Sequence, residues 1–286
     1  MVNLEQVSMN SGLSDHLIFA TPETDARVHD VGQYLADNVL NGDFICPSFN
    51  ACRSSYGDTF YEGQLHHIGQ YYGLRANGFP LRVVVVGQEY GHPPARVDMQ
   101  ARYDMIMHSA LGSRFTAEPG YDVRNPHMRG TTNVLRLLFG IPLGVDHRSE
   151  FIEVEGKLVH LFDAFALVNY LLCSAVADGR RNGKATGTMR RNCRSHFRAV
   201  MDLLEPSVVI VQGKTFWPSI RESFDVVRPV TEGVYKARLG DHTMFVAVFS
   251  HPSAHFPYNW GANDHTEYLM KTVVPAIGFI RQNIGL

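Results

Sequence analysis

The chain has 286 residues, 45% of them hydrophobic, with a formal charge of −2. Such a composition can form one large core, gives no whole-molecule attraction to nucleic acid, and holds no apolar run near the roughly 20 residues that cross a bilayer. Glu5 stands where a secretory signal would be basic, so a cytoplasmic protein without a membrane partner is expected.

Residues 22 to 38 read as a helix, with apolar positions at Val28, Val31 and Leu35 and with Thr21 or Thr24 as its cap. A strand follows at 82 to 86, then helices near 95 to 111 and 131 to 139. The turn Glu155-Gly156, between Phe151-Ile152 and Leu158-Val159, predicts a small hairpin. Beyond it come a strand at 165 to 168, a helix at 191 to 204, a strand at 207 to 211, a short helix near 215 to 222, a strand at 243 to 249 and a helix from about 264. Strands alternating with helices predict a parallel sheet covered on both faces.

Three of these strands end in groups suited to chemistry. Val83–Val86 runs into Gly87, Gln88, Glu89, Tyr90 and Gly91; Phe165–Val168 ends at Asn169; and Phe249 is followed by Ser250, His251, Pro252 and Ser253. In an open parallel sheet the carboxyl ends of strands border one crevice, so an acid, an amide and an imidazole distant in sequence can face one ligand. Between Gly179 and Arg198 stand seven basic side chains (Arg180, Arg181, Lys184, Arg190, Arg191, Arg194 and Arg198) and no acidic one. This run is either a solvated face or a phosphate grip.

Five residues separate Cys46 from Cys52, and nineteen separate Cys173 from Cys193. In a reducing compartment disulfides are not expected, and the spacing matches no common zinc signature. Two readings stay open, four unrelated buried thiols or the four thiolates that an iron–sulfur cluster requires.

Taken in order, Cys46 and Cys52, Gly87 to Gly91, Asn169 to Cys173, Cys193, Gly213 and His251 to Ser253 resemble the uracil-DNA glycosylase superfamily, in particular its iron–sulfur branch, often called family four. The likeness spans about residues 46 to 261. It implies a three-layer α/β/α sandwich with a central, mainly parallel four-stranded sheet. The whole chain, 1–286, would be one domain with an N-terminal arm at about 1–45 and a pocket-side insertion at about 92–125. It further implies a structural 4Fe-4S cluster on Cys46, Cys52, Cys173 and Cys193, DNA as partner, and a monomer. The activity implied is hydrolysis of the N-glycosidic bond of a flipped-out base, leaving an abasic site. Asn169 would read the base edge, His251 would stabilise negative charge on the departing base, and Glu89 would orient the attacking water.

Gln88, Tyr90, Gly91 and His127 would line the base pocket. Arg180, Arg181, Lys184, Arg190, Arg191 and Ser253 would meet DNA, and His255 or Phe256 would fill the gap left by the extruded nucleotide. An inserted side chain returns about 1 to 3 kcal/mol of stacking against a flipping cost of a few kcal/mol. The competing reading buries Phe256, Tyr258 and Trp260 against the last helix.

The chain departs from the family's pattern at the pocket. Gln88 replaces a glutamate, Tyr90 a proline, and His127 a stacking phenylalanine, while 34 residues lie between Gly91 and Pro126 where the family has a handful. An insertion of that length reads as a lid or a second recognition surface. These departures favour a bulky 5-substituted pyrimidine, such as glucosylated 5-hydroxymethylcytosine of phage DNA, over plain uracil, and a defence role over repair. The loop 174–192 holds no histidine, which argues for turnover rather than covalent capture of DNA. A non-catalytic iron–sulfur DNA-binding protein of the same fold is the alternative, and an iron–sulfur electron carrier is a third reading.

Overall fold

The computed structural model describes residues 17–57, 59–89, 96–111, 120–177 and 183–286. Its frame is a seven-stranded mixed sheet made of β1 (His67–Ile68), β2 (Val83–Gly87), β3 (Ala166–Asn169), β4 (Val208–Gln212), β5 (Val226–Thr231), β6 (Val234–Leu239) and β7 (His242–Phe249). The spatial order is β5-β6-β7-β4-β2-β3-β1. The four strands β7, β4, β2 and β3 run parallel, while β6 pairs antiparallel with β7 and β1 with β3. The expected four strands are thus the parallel centre of a wider sheet. The β5–β6 hairpin turns at Gly233, whose φ of 70° suits glycine.

The parallel strands are apolar on both faces because helices cover both. Val83, Val85, Leu167, Ile210, Ala247 and Phe249 point to one layer, formed by α3 (Met99–Leu111), α4 (Pro126–Leu138) and α7 (Val274–Asn283). Val84, Val86, Val168, Val209, Val211 and Val248 point to the other, formed by α1 (Thr21–Asn38), the short α2 (Phe49–Ser54), α5 (Gly187–Leu204) and α6 (Trp217–Arg221). Val31 and Leu35 of α1 are fully enclosed, so the described part of the expected N-terminal arm belongs to the core. The expected hairpin is present as Phe151–Val154 paired with Lys157–His160. No helix among the described residues is long and apolar enough to cross a membrane.

Two expected helices start earlier than their apolar periodicity indicates. α4 begins at Pro126 because Asn125 caps it, accepting from the Met128 N–H at 2.9 Å, and proline suits the first turn. α5 begins at Gly187 because Thr186 caps it in the same way from Met189.

β3 lies on one side of β2 and β4 on the other, while α4 and α5 occupy opposite faces. This reversal of strand order opens a crevice beyond the carboxyl ends of β2, β3, β4 and β7.

One wall of that crevice is fixed by a buried ion cluster. Arg124 grips both oxygens of Glu150, at 2.8 and 2.5 Å, and reaches the Thr132 hydroxyl of α4 and the Ser109 carbonyl of α3. Arg136, His147 and His160 complete the shell around the carboxylate. Burial alone would raise the Glu150 carboxyl, but these donors hold it far below the usual carboxylate range. Replacing Glu150 with Gln leaves two buried arginines without a counter-charge. The variant is expected to lose about 3–5 kcal/mol of stability, read from the midpoint of denaturant unfolding.

Candidate active site

A cavity of about 690 Å³ occupies the crevice, and Gln88, Glu89, Asn169, Gly213, His127, His251 and Ser253 all line it. The three strand ends expected to converge therefore do so. Register explains the nearness of two of them, since Asn169 pairs with Gly87 across the parallel β2–β3 ladder. Tyr90 and Gly91, and likewise Arg180 and Arg181, lie outside the described residues.

Glu89 follows β2 with its Oε1 accepting from Gln88 Nε2 at 3.0 Å, while its buried Oε2 has no hydrogen-bond partner among the described residues. Burial pushes its pKa up to about 7, against the pull of the Gln88 hydrogen bond and the Arg190 charge. Gly183 presses against this carboxylate so closely that a Cβ there would overlap it. Gln88 is held in turn by Arg190, which donates to its Oε1 at 3.3 Å.

Asn169 is buried, and its side-chain NH₂ donates to the Gln64 carbonyl at 3.4 Å. That contact sets which way the amide faces. Its backbone N–H donates to His66 Nδ1 at 3.3 Å. Burial lowers the pKa of His66 to about 3, so the ring stays neutral and serves as an acceptor at that nitrogen.

His251 sits exposed at the cavity mouth, with a ring partly enclosed by protein, and this desolvation lowers its pKa. The Ser253 backbone N–H donates to His251 Nδ1 at 3.2 Å, and the Ser253 hydroxyl lies 2.8 Å from the same atom. An Nδ1 that accepts from a backbone amide leaves the proton of the neutral ring on Nε2. Ser253, expected to meet DNA, therefore also sets the tautomer of His251.

His127, in the first turn of α4, lies with its ring centre 5.9 Å from that of His251. Its pKa falls to about 3, first through burial and then through the charges of His251 and Arg102. Gly87 accommodates it, since a Cβ there would approach His127 Nε2 to 3.2 Å. Gly213 is required for another reason, because a Cβ at that position would overlap the Phe216 ring, which also lines the cavity.

The loop from Ser250 to Gly261 docks on α4. Trp260 is fully buried and donates to the Ser250 carbonyl at 2.7 Å, and Pro252 and Trp260 pack on Gly130 with no room for a side chain there. From this base Phe256 projects 79% exposed, with His255 beside it. The competing reading, with all three aromatics buried, thus holds for Trp260 only.

The basic run divides. Arg194 pairs with Glu222 and Arg198 with Asp225, both away from the cavity lining, and Arg190 turns inward to Gln88. Lys184 and Arg191 are exposed, the Lys184 ammonium lying 4.9 Å from the centre of the Tyr56 ring. Not foreseen from sequence were Arg102, Met105, Ile106 and Ser109 of α3, together with Thr215 and Phe216. The i, i+3, i+4, i+7 spacing of the α3 residues was visible, but nothing local told which way that face would turn.

The four cysteines are free thiols. No three of their sulfurs lie within 4.8 Å of one another, whereas ligands of one zinc ion stand at most about 4.6 Å apart, twice a Zn–S bond. A single-ion site is therefore not formed by these thiols. All six pairs nevertheless feel each other electrostatically, and burial, reinforced by this proximity, raises Cys46, Cys173 and Cys193, the last to about 12. Each sulfur also faces an N–H group, from Ser48, Gly63 and Leu172 of the backbone and from the Asn192 side chain. Donors around sulfur suit thiolates held by a multi-metal cluster, whose size spreads its ligands.

Among the described residues the single compact group of ligand types is His147, Glu150 and His160. It does not suit a cation. Glu150 already carries Arg124 and Arg136, and His160 accepts the Phe162 N–H at Nδ1, which leaves its Nε2 protonated toward Glu150.

The Glu89 shift has a stability consequence. Its folded pKa, about 7, exceeds the unfolded value of 4.5, so the native state binds the proton more tightly and is destabilised progressively as pH rises from 4.5 through 7. Glu89→Gln is expected to raise stability by about 2–3 kcal/mol at pH 8 and by little at pH 4.5, measured as unfolding midpoints at the two pH values. No protein-family model matches the chain, and no curated protein matches it.

Proposed function

We propose that the protein is a DNA N-glycosylase of the uracil-DNA glycosylase type, which hydrolyses the bond between C1′ of deoxyribose and a flipped-out modified base and leaves an abasic site. The observation that carries this reading is the shared cavity of Glu89, Asn169 and His251, with the proton of the neutral His251 ring on Nε2. Breaking the C1′–N bond sends its electron pair to the base. A proton-bearing imidazole that donates to a base oxygen stabilises that charge as it develops, which is where stabilisation accelerates the reaction. Asn169, its amide oriented by Gln64, pairs with the base edge.

Water supplies the oxygen that bonds to C1′. Its proton passes to the Glu89 carboxylate, whose buried setting gives it a pKa suited to a base near neutrality. Phe256, raised on the Trp260-anchored loop, fills the place of the extruded nucleotide, and Lys184 and Arg191 contact phosphates. Cys46, Cys52, Cys173 and Cys193 would hold a 4Fe-4S cluster whose work is structural, tying the segment of residues 46–52 to Cys193 within α5. Cavity size favours a base larger than uracil, since about 690 Å³ lies in the range that encloses drug-sized molecules. Glucosylated 5-hydroxymethylcytosine is one such base.

Purified protein should be brown and carry about four iron atoms per chain. Incubated with duplexes containing uracil or substituted cytosines, it should release free base, detected by mass analysis. Asn169→Ala and His251→Ala are each expected to reduce release at least 100-fold with DNA affinity nearly intact; DNA binding without release of any base would instead identify a non-catalytic DNA-binding protein. The rate should climb with pH through about 7 as Glu89 ionises, and Glu89→Gln should remove that rise.

A further inference from the structure

The helix α3 shows the cavity one stripe of four residues, Arg102, Met105, Ile106 and Ser109. Their i, i+3, i+4, i+7 spacing is one helical face. Arg102 lines the cavity yet is only 7% exposed, and its charge is felt at His66, His67 and His127, so it is a buried cation at the cavity wall rather than a solvated one. The far end of α3 is not free to swing, because the Ser109 carbonyl accepts from Arg124, the residue clamped on Glu150. The stripe is therefore a rigid wall and not a lid.

Its chemistry differs from that of the strand ends. The eight heavy atoms of a bare pyrimidine would be met by Asn169, His251 and Glu89, leaving most of the 690 Å³ to other atoms. A guanidinium offers N–H donors in a fixed fork and accepts nothing. Met105 and Ile106 offer apolar contact beside it, and Ser109 a hydroxyl.

We infer that this stripe is a specificity wall that receives an oxygen-rich substituent on the extruded base, with Arg102 donating to its acceptor oxygens and Met105 and Ile106 packing its carbon skeleton. The inference rests on the glycosylase reading and names the class of base. Polar groups built to pair with a substrate group discriminate strongly against analogues that lack it, so selection falls to α3 while bond breaking stays with the strand ends. Substituents of one chemistry, acceptor oxygens, come from hydroxymethyl, carboxyl or glycosyl groups, and the test separates them.

Four duplexes carrying uracil, 5-hydroxymethylcytosine, 5-carboxylcytosine or glucosylated 5-hydroxymethylcytosine are compared by kcat/KM for base release. Wild-type protein should prefer at least one oxygen-rich base over uracil, and Arg102→Gln should lower that preference at least tenfold. Met105→Trp, which fills the wall without touching its charge, should lower it too and carries the test if the first variant does not fold. An unchanged ratio in both variants, or a wild-type preference for uracil, overturns the inference. Thermal stabilisation by the free substituted bases is measured in parallel. Binding by wild type and not by Arg102→Gln supports the wall even if no base is released, an outcome that removes the glycosylase reading alone.

Discussion

The cavity depends on one buried contact, the Arg124 guanidinium on the Glu150 carboxylate. Two charges out of water are tolerated only when nearly every donor and acceptor is satisfied, and here Arg124 serves Glu150, Thr132, Ser109 and the face of the Phe162 ring together. That set links α3, the start of α4 and the hairpin after it. Since Asn125, Pro126, His127 and Met128 come directly after Arg124 and line the cavity, fixing Arg124 fixes one wall. The same helix then receives Pro252 and Trp260 on Gly130, while Gly261 fits tightly against the Pro126 carbonyl. The position of His251 is thus inherited from a contact on the other side of α4.

Electrostatics within the cavity depend on the neutral groups as much as on the charged ones. His66 and His127 are held uncharged by burial, so each offers lone pairs and single donors rather than a cation. Arg102 and Arg190 supply positive charge at two sides, yet Glu89 remains hard to ionise because its carboxylate is enclosed between Gln88 and Gly183. A carboxyl that is protonated below neutrality and ionised above it weakens the fold in its charged form. The stability lost to an ionised buried carboxylate is the source of its ability to take a proton.

Much of this arrangement was legible in the sequence, for identifiable reasons. Parallel strands buried on both faces must be apolar throughout, so β2 and β4 announce themselves as Val-Val-Val-Val and Val-Val-Ile-Val, and the residues just beyond each strand are bound to stand at the crevice. The β5–β6 hairpin was missed because one of its strands is largely exposed at the sheet edge and carries Arg228, Pro229 and Thr231, a pattern with little apolar alternation. The start of α4 was missed because capping by Asn125 and Pro126 is a local signal outweighed by the apolar rhythm downstream. Arg102 was illegible for a deeper reason. An arginine on a helix is ordinarily solvated, and only the way α3 packs beside β1 and Phe162–Asp163 turns that face inward.

Strand ends and helices hold the side chains that line the cavity in different ways. Asn169 is held at its strand end by its pairing with Gly87, and Glu89 follows two residues beyond the end of β2, so both inherit their positions from the sheet. A helix laid across the crevice is fixed by side chains, so its cavity-facing stripe can change residue by residue without disturbing the ladder. Side chains held to within a few tenths of an ångström need supports whose own positions are locked by packing and hydrogen bonds. Arg102 and Met105 stand on such a cavity-facing stripe of α3, which Arg124 anchors at its far end through the Ser109 carbonyl.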